Sequence, residues 1–157
     1  MMRTSHDADE TRRIAEGFGS LLRPGDLVLL VGDLGAGKTT FVQGVARALG
    51  VHESVTSPTF TIVQQYDGRV PVAHVDVYRL QRMQEVHDLA LDELLERHVV
   101  LVEWGDVVEP ALPGDRAEVR LTLGDDVNDR TIEIVGDGPS WPARLAQLEG
   151  AIASRNN

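Results

Sequence analysis

"DLVLLVGDLGAGKTTFVQGVARALG", residues 26–50, decides how the rest of the chain is read. The run Asp26–Val31 is short and apolar, as a buried strand is. A glycine-rich turn follows, and "KTTFVQGVARALG" then reads as a helix ended by Gly50. Gly32, Gly37, Lys38 and Thr39 fit the pattern G-x-x-x-x-G-K-[ST], in the strand–turn–helix setting that pattern requires. Such a turn curls so that backbone N–H groups face phosphates, and the helix adds its positive N-terminal end. Lys38 would reach the β- and γ-phosphates, and the Thr39 hydroxyl would bind magnesium. Asp33, Leu34, Gly35 and Ala36 form the turn, while Gly37, Lys38, Thr39 and Thr40 carry it into the helix. All of them are candidate nucleotide contacts.

Lys38 is the sole lysine of the chain, and the other fourteen basic residues are arginine. A compact ammonium on a flexible stem fits between phosphates inside a tight turn, whereas the planar arginine fork needs a wider approach. The lysine therefore marks this turn rather than general surface charge.

The 157 residues suit a single domain, residues 1–157, with 153–157 expected as a frayed tail. A net charge of −10 argues against a free-standing nucleic-acid binder, which needs surplus basic side chains, but leaves room for a partner that holds nucleic acid. The chain has no cysteine, so disulfides, thiolate metal sites and cysteine nucleophiles are ruled out, and a reducing compartment is expected. The start, "MMRTSHDADETRR", is polar and lacks an apolar signal core, and no run approaches the ~18 apolar residues of a membrane span. A cytoplasmic protein without membrane contact is the expectation.

"DADETRRIAEGFGSLL" places Ile14, Phe18, Leu21 and Leu22 at helical spacing. "TFTIVQQY" and "VPVAHVDVY" flank the turn "DGR" as a hairpin, and "AEVRLTLG" and "RTIEIVG" alternate around "DDVND" as a second. "EVHDLALDELLERH" reads as broadly helical, "VVLVEW" as another buried strand, and "GDVVEPALP" as a short helix or turn cut by Pro110 and Pro113. "SWPARLAQLEGAI" opens on a cap-like Ser140 and a first-turn proline, with Leu145, Leu148 and Ile152 on one face. The sum is an α/β fold of P-loop NTPase-like kind: a mixed sheet, parallel at its centre, with antiparallel hairpins and flanking helices.

A phosphate loop needs an acid to help hold magnesium, usually after a buried strand. Asp76 after "VPVAHV" and Glu103 after "VVLV" both qualify. One would organise the metal, with Thr39, and the other would orient or deprotonate the attacking water; the sequence leaves open which does which. Thr59, in "TSPTF" behind the stiff Pro58, is the candidate sensor of the γ-phosphate. His74 lies two residues before Asp76 on the same strand face, either as half of a metal pair or, with no third ligand in sight, as a packed or hydrogen-bonded ring. Trp104 belongs either to the core or to the nucleotide or partner surface. Arg79 is a candidate for γ-phosphate charge or for a salt bridge.

"GDLGAGKTTFVQG", "VTSPTFTIVQQY", "HVDVYRL" and "VEWGD", in this order, resemble the TsaE family, the small ATPases of the bacterial pathway that makes N6-threonylcarbamoyladenosine in transfer RNA. The joint occurrence of "SPTF", "DVYRL" and "EW" carries the resemblance beyond the widely shared phosphate loop. It implies loop contacts from Lys38, Thr39 and Thr40, a switch-like threonine at Thr59, a metal-side aspartate at Asp76, and a catalytic glutamate with its tryptophan at Glu103 and Trp104. It also implies ATP and Mg²⁺ as ligands, slow hydrolysis, and work alongside a TsaD–TsaB transferase heterodimer, with tRNA met only through the complex. The isolated chain is expected to be a monomer. Two departures are Gly105, where many relatives have proline, and "QEVHDLALDE", which carries fewer acids than the family pattern.

The same residues also bear on other classes. A small-molecule or nucleotide kinase would use the same loop but needs an acceptor pocket and an arginine-bearing lid, whereas Arg116, Arg120 and Arg130 scatter around a hairpin. A GTP switch would present Asn-Lys-x-Asp, which a chain with one lysine already placed in the loop does not contain. A nucleotide-dependent scaffold overlaps with the TsaE-like reading.

Overall fold

A computed structural model describes residues 1–58, 62–77, 90–104 and 112–155, with side chains described as far as 151. In chain order the elements are β1 (Met2–Ser5), α1 (Ala8–Gly19), β2 (Leu27–Val31), α2 (Lys38–Ala48), β3 (Val63–Tyr66), β4 (Val72–Asp76), α3 (Leu91–Leu95), β5 (Val99–Glu103), β6 (Arg116–Leu123), β7 (Arg130–Asp137) and α4 (Pro142–Arg155). The strands form one seven-stranded sheet of order β1-β7-β6-β2-β5-β4-β3. β2 pairs in parallel with β5 and β6, and β5 pairs in parallel with β4. The pairs β3–β4, β6–β7 and β1–β7 are antiparallel. The parallel centre and both hairpins agree with the sequence pattern.

Strands buried on both faces should read as unbroken apolar runs, and β2 ("LVLLV") and β5 ("VVLVE") do. Val28, Leu30, Val99 and Leu101 face one side with Phe18, Phe41 and Val45 of α1 and α2. Leu27, Leu29, Val100 and Val102 face the other, with Leu91 and Leu112. Helix α1 opens on Asp7, whose side chain accepts from the Glu10 N–H at 2.7 Å, and Asp9 and Glu10 sit in its positive first turn. Helix α4 covers the sheet beside α1: Trp141 stacks on Phe18 with centroids 6.2 Å apart, and Arg144 lies over the Trp141 ring while binding the Asp26 carboxylate.

Strand β1 was not anticipated. "MRTS" has no apolar alternation, and its place comes from the backbone ladder to β7 and from Ser5, which is buried against the Thr11 hydroxyl at 2.7 Å. The broad helix read in "EVHDLALDELLERH" is described only from residue 90; there α3 starts at Leu91, directly after Ala90 with its left-handed φ of 52°. The segment "GDVVEPA", residues 105–111, lies outside the described residues. No helix among the described residues is long and apolar enough to cross a membrane.

The site depends on how closely α2 sits on α1, and Gly44 sets that distance. A Cβ there would stand 2.4 Å from the Arg12 carbonyl oxygen and 2.6 Å from the Ala15 Cβ. Alanine has the higher helix propensity by ~1 kcal/mol, yet overpacking against backbone costs ~1–3 kcal/mol. Gly44→Ala should therefore lower the melting temperature by several degrees, at ~2–4 °C per kcal/mol for a chain of this size. Thermal unfolding followed by circular dichroism decides it, and a raised Tm would show that propensity outweighs the helix contact.

Candidate functional site

Strand β2 runs out at Val31 and the chain turns at once through Gly32, where a Cβ would come within 2.5 Å of the Leu121 carbonyl oxygen on β6. The turn ends at Gly37, whose φ of 102° is easily adopted only by glycine and whose conformation starts α2 without a side-chain cap. Lys38 is the first residue of that helix and is only 5% exposed. Its ammonium donates to the Gly32 carbonyl at 2.6 Å and the Asp33 carbonyl at 3.0 Å, and lies 4.0 Å from the centroid of the Trp104 ring. Trp104 has a left-handed φ of 62°, uncommon for a bulky residue, directly after β5.

Parallel pairing brings the carboxyl ends of β2, β5 and β4 together. Leu30 is the register partner of Glu103, and Glu103 of Asp76. Residues opposite one another in register point to the same face of a sheet. The two acids thus sit side by side next to the start of α2. Glu103 is buried; its carboxylate accepts from the Thr39 hydroxyl at 3.3 Å and lies 2.6 Å from His74 Nε2. Asp76 accepts from the Ser57 hydroxyl at 3.2 Å.

These groups surround a cavity of about 530 Å³. Gly35, Gly37, Lys38, Thr39 and Thr40 line it from the turn and helix; Asp76, Glu103 and Trp104 line it from the strand ends. Ser57, Pro58 and Ile62 close another side, and Leu34 stands at the rim, 85% exposed. Asp33 and Ala36 are not among the lining residues. The Asp33 side chain faces solvent and Ala36 packs into the core, so both serve the turn through their backbones. Thr59 and Arg79 lie outside the described residues, as does Gly105.

His74 is a buried, hydrogen-bonded ring, one of the two readings its sequence position allows; its partner, Glu103, comes from the β4–β5 register and not from spacing. Two further features have no counterpart in the sequence reading. Ser57 was overshadowed by Thr59. Arg130, read as one of several scattered hairpin arginines, reaches across to the turn and donates to the carbonyls of Gly35 and Ala36, both at 3.1 Å. It also donates to the carbonyls of Val127 and Asp129 at its own end. No sequence signal marks that reach of 94 residues.

On the far side of the same turn, a smaller cavity of about 140 Å³ shares Gly35, Gly37 and Thr40 with the first and is closed by Asp7, Thr11 and Asn128. Close by in sequence, exposed His6 bonds Asp129 through Nδ1 at 3.0 Å; that hydrogen bond, and then the charge of Asp129, raise the imidazole pKa above its ordinary 6.5. Among the described residues no group of three or more His, Cys, Asp or Glu side chains could hold a metal ion by itself.

A glycine turn between a buried parallel strand and a helix, facing acids from the two neighbouring strand ends, marks a mixed α/β domain with a parallel centre and antiparallel flanks. The comparison with known proteins narrows this. The family model described as "Threonylcarbamoyl adenosine biosynthesis protein TsaE" matches residues 5–132. The tRNA threonylcarbamoyladenosine biosynthesis protein TsaE of Bacillus subtilis is 45% identical over 132 residues, 82% of this chain and 82% of that protein. Its counterpart in Streptomyces coelicolor is 42% identical over 138 residues, 83% of this chain and 93% of that protein. The crystal structure of Bacillus subtilis YdiB superposes with a TM-score of 0.80 at 34% identity, covering 100% of this chain and 96% of that one. The chain belongs to the TsaE family of tRNA threonylcarbamoyladenosine biosynthesis.

The Arg130 strut has a measurable consequence. The Ala36 N–H donates to the Asp33 carbonyl at 3.0 Å, inside the turn that Arg130 braces. Bonds from a charged donor contribute ~1.5–3 kcal/mol each, and partial exposure argues for the low end. Arg130→Ala should speed exchange of the Ala36 amide about tenfold or more while leaving β5 amides unchanged. Hydrogen exchange read by NMR or mass spectrometry checks it; equal protection in both proteins would remove Arg130 from the account of the turn.

Proposed function

We propose that the chain binds ATP with magnesium in the cavity between the glycine turn and the ends of β4 and β5, and hydrolyses it slowly. On this reading it supports turnover of a TsaD–TsaB transferase in the tRNA modification rather than transferring the carbamoyl group itself. The observation that carries the reading is the position of Lys38: a nearly buried ammonium opens into a cavity whose other walls are Thr39, Asp76 and Glu103. A cavity of about 530 Å³ is within the ordinary range for a small-molecule site, ~300–1,000 Å³. The smaller hollow behind the turn shares Gly35, Gly37 and Thr40 with it, and on this reading would border the rest of the nucleotide.

The donor set fits magnesium. It offers a hydroxyl from Thr39 and carboxylates from Asp76 and Glu103, hard oxygens of the kind Mg²⁺ takes from protein while substrate phosphates and water complete its shell. Among the described residues, His74 has its Nε2 committed to Glu103 and is not a lining residue of the cavity. When bound, the ion would neutralise phosphate oxygens. Lys38 would exchange its two carbonyl partners for the β- and γ-phosphates. The N–H groups of the turn and the start of α2 would hold the chain of phosphates. Glu103 would accept a proton from the attacking water at its carboxylate, with Asp76, steadied by Ser57, on the metal side.

Turnover by the isolated chain should be slow. Arg130, which reaches the turn, is committed to backbone carbonyls, and an arginine supplied to the transition state is worth ~10³–10⁵ in rate. A partner protein completing the site accounts for this. The net charge of −10 also leaves tRNA contact to the partner.

Lys38→Ala should lower ATP hydrolysis by ~10²-fold or more, measured with and without TsaD–TsaB, since a preorganised positive donor is lost from the developing charge. Unchanged turnover would sink the assignment. Glu103→Ala should lower kcat by ~10²-fold or more while the nucleotide Kd, read by calorimetry, stays within a few-fold. An equal loss of binding would give Glu103 a ligand-holding role instead. A complex of the chain with TsaD–TsaB that forms only with ATP present would place it in the machinery as proposed; no complex under any nucleotide condition would remove that partner.

A further inference from the structure

We propose that His74 is a positioning residue for catalysis, holding one oxygen of the Glu103 carboxylate and so fixing the carboxylate's orientation against Thr39 and the cavity. The proposal rests on the ATPase reading above and adds to it a residue that does not itself meet substrate.

His74 sits in the middle of β4, fully buried, with Leu101 as its register partner on β5 and Gln64 on β3. Val72 on the same face, and Val99 and Leu101 beside it, belong to the main apolar core. A position of this kind is normally filled by valine, isoleucine or leucine. Histidine here carries a cost, because its Nδ1 is buried without a hydrogen-bond partner. That loss is offset at the other ring nitrogen, where Nε2 lies 2.6 Å from Glu103 Oε2.

The two atoms also assign the ring. An ionised carboxylate only accepts, so Nε2 carries the hydrogen, and Nδ1 is the bare nitrogen that needs no acceptor. With Nε2–H on Oε2, rotation of the carboxylate about its last bond would break a short bond inside the core. The Thr39 hydroxyl lies 3.3 Å from Oε1 and 3.4 Å from Oε2, so fixing Oε2 from the core side also fixes the turn of the carboxylate against Thr39 at the cavity wall. Such a held orientation matters to a group that must meet a water molecule, because misplacement by about 1 Å can cost ~10²-fold in rate. A ring that merely filled space would not fix the carboxylate's direction.

The test has two arms. In the first, the ligand-free protein labelled with ¹⁵N is examined at one fixed pH by long-range proton–nitrogen correlation. His74 should show the Nε2–H tautomer, with a slowly exchanging ring proton, and Glu103→Ala should abolish that slow exchange. The Nδ1–H tautomer, or a ring proton indifferent to Glu103→Ala, would overturn the proposal. In the second, His74→Phe keeps ring volume without the donor, and His74→Gln restores an N–H near Nε2. His74→Phe should lower kcat at least tenfold with the nucleotide Kd within about twofold, and His74→Gln should recover most of the loss. Full activity of His74→Phe, or a glutamine variant no better than phenylalanine when both melt near wild type, would overturn it. Should His74→Phe fail to fold, the first arm and the glutamine variant still decide. Absence of hydrolysis by the wild-type chain with its partner is a different result: it would reject the ATPase reading, while the first arm would still report whether His74 holds Glu103.

Discussion

Parallel strand pairing at the centre of the sheet is the constraint on which the rest depends. Because β2, β5 and β4 run the same way, their carboxyl ends fall on one edge, and the register sets Leu30, Glu103 and Asp76 in a row. Parallel strands also need long crossovers, so the chain must leave that edge after β2 and return, and it leaves through the glycine turn into α2. The start of a helix, with its unpaired N–H groups, is thereby delivered to the place where two acids emerge. The larger cavity is a consequence of this geometry; no inserted domain is needed to build it.

Charges inside the edge are arranged so that each has a partner. Lys38 is held by two carbonyls and an aromatic face, Glu103 by His74 and Thr39, and Asp76 by Ser57. Burying an ion without such partners would cost several kcal/mol, of order the net stability of a whole domain in unfavourable cases. Lys38 donates to backbone carbonyls and also lines the larger cavity. That condition suits an incoming anion, because backbone carbonyls surrender an ammonium more readily than a carboxylate does.

How much of this was legible in the sequence follows from the range of the interactions. The strand, turn and helix of residues 26–50 are local, set by apolar runs and glycines, and they read directly. The hairpins also read, since alternation and a nearby turn specify them. β1 did not, because an edge strand such as "MRTS" is held by a backbone ladder to β7 more than 120 residues away and carries no pattern of its own. Asp76, Glu103 and Thr39 read as strand-end acids and a helix-start hydroxyl, and they line one cavity. What tied them together stayed hidden. The His74–Glu103 bond and the Arg130 strut are set by register between elements that the chain does not list side by side, so no spacing rule points to them.

The solitary lysine finds its explanation in the same packing. Its ammonium fits within 2.6 Å of one carbonyl and 3.0 Å of the next while resting on the Trp104 ring. An arginine in that place would bring a planar group of three nitrogens into a turn whose first glycine already lies against β6. It would need to displace either the indole or the turn itself. Arginine serves this protein where a fork can span two acceptors, as Arg130 does between Gly35 and Ala36, and as Arg144 does between Asp26 and Leu21. These two arginines tie separate elements together, whereas the single lysine fits the narrow space between turn and indole that a point charge on a thin stem can enter.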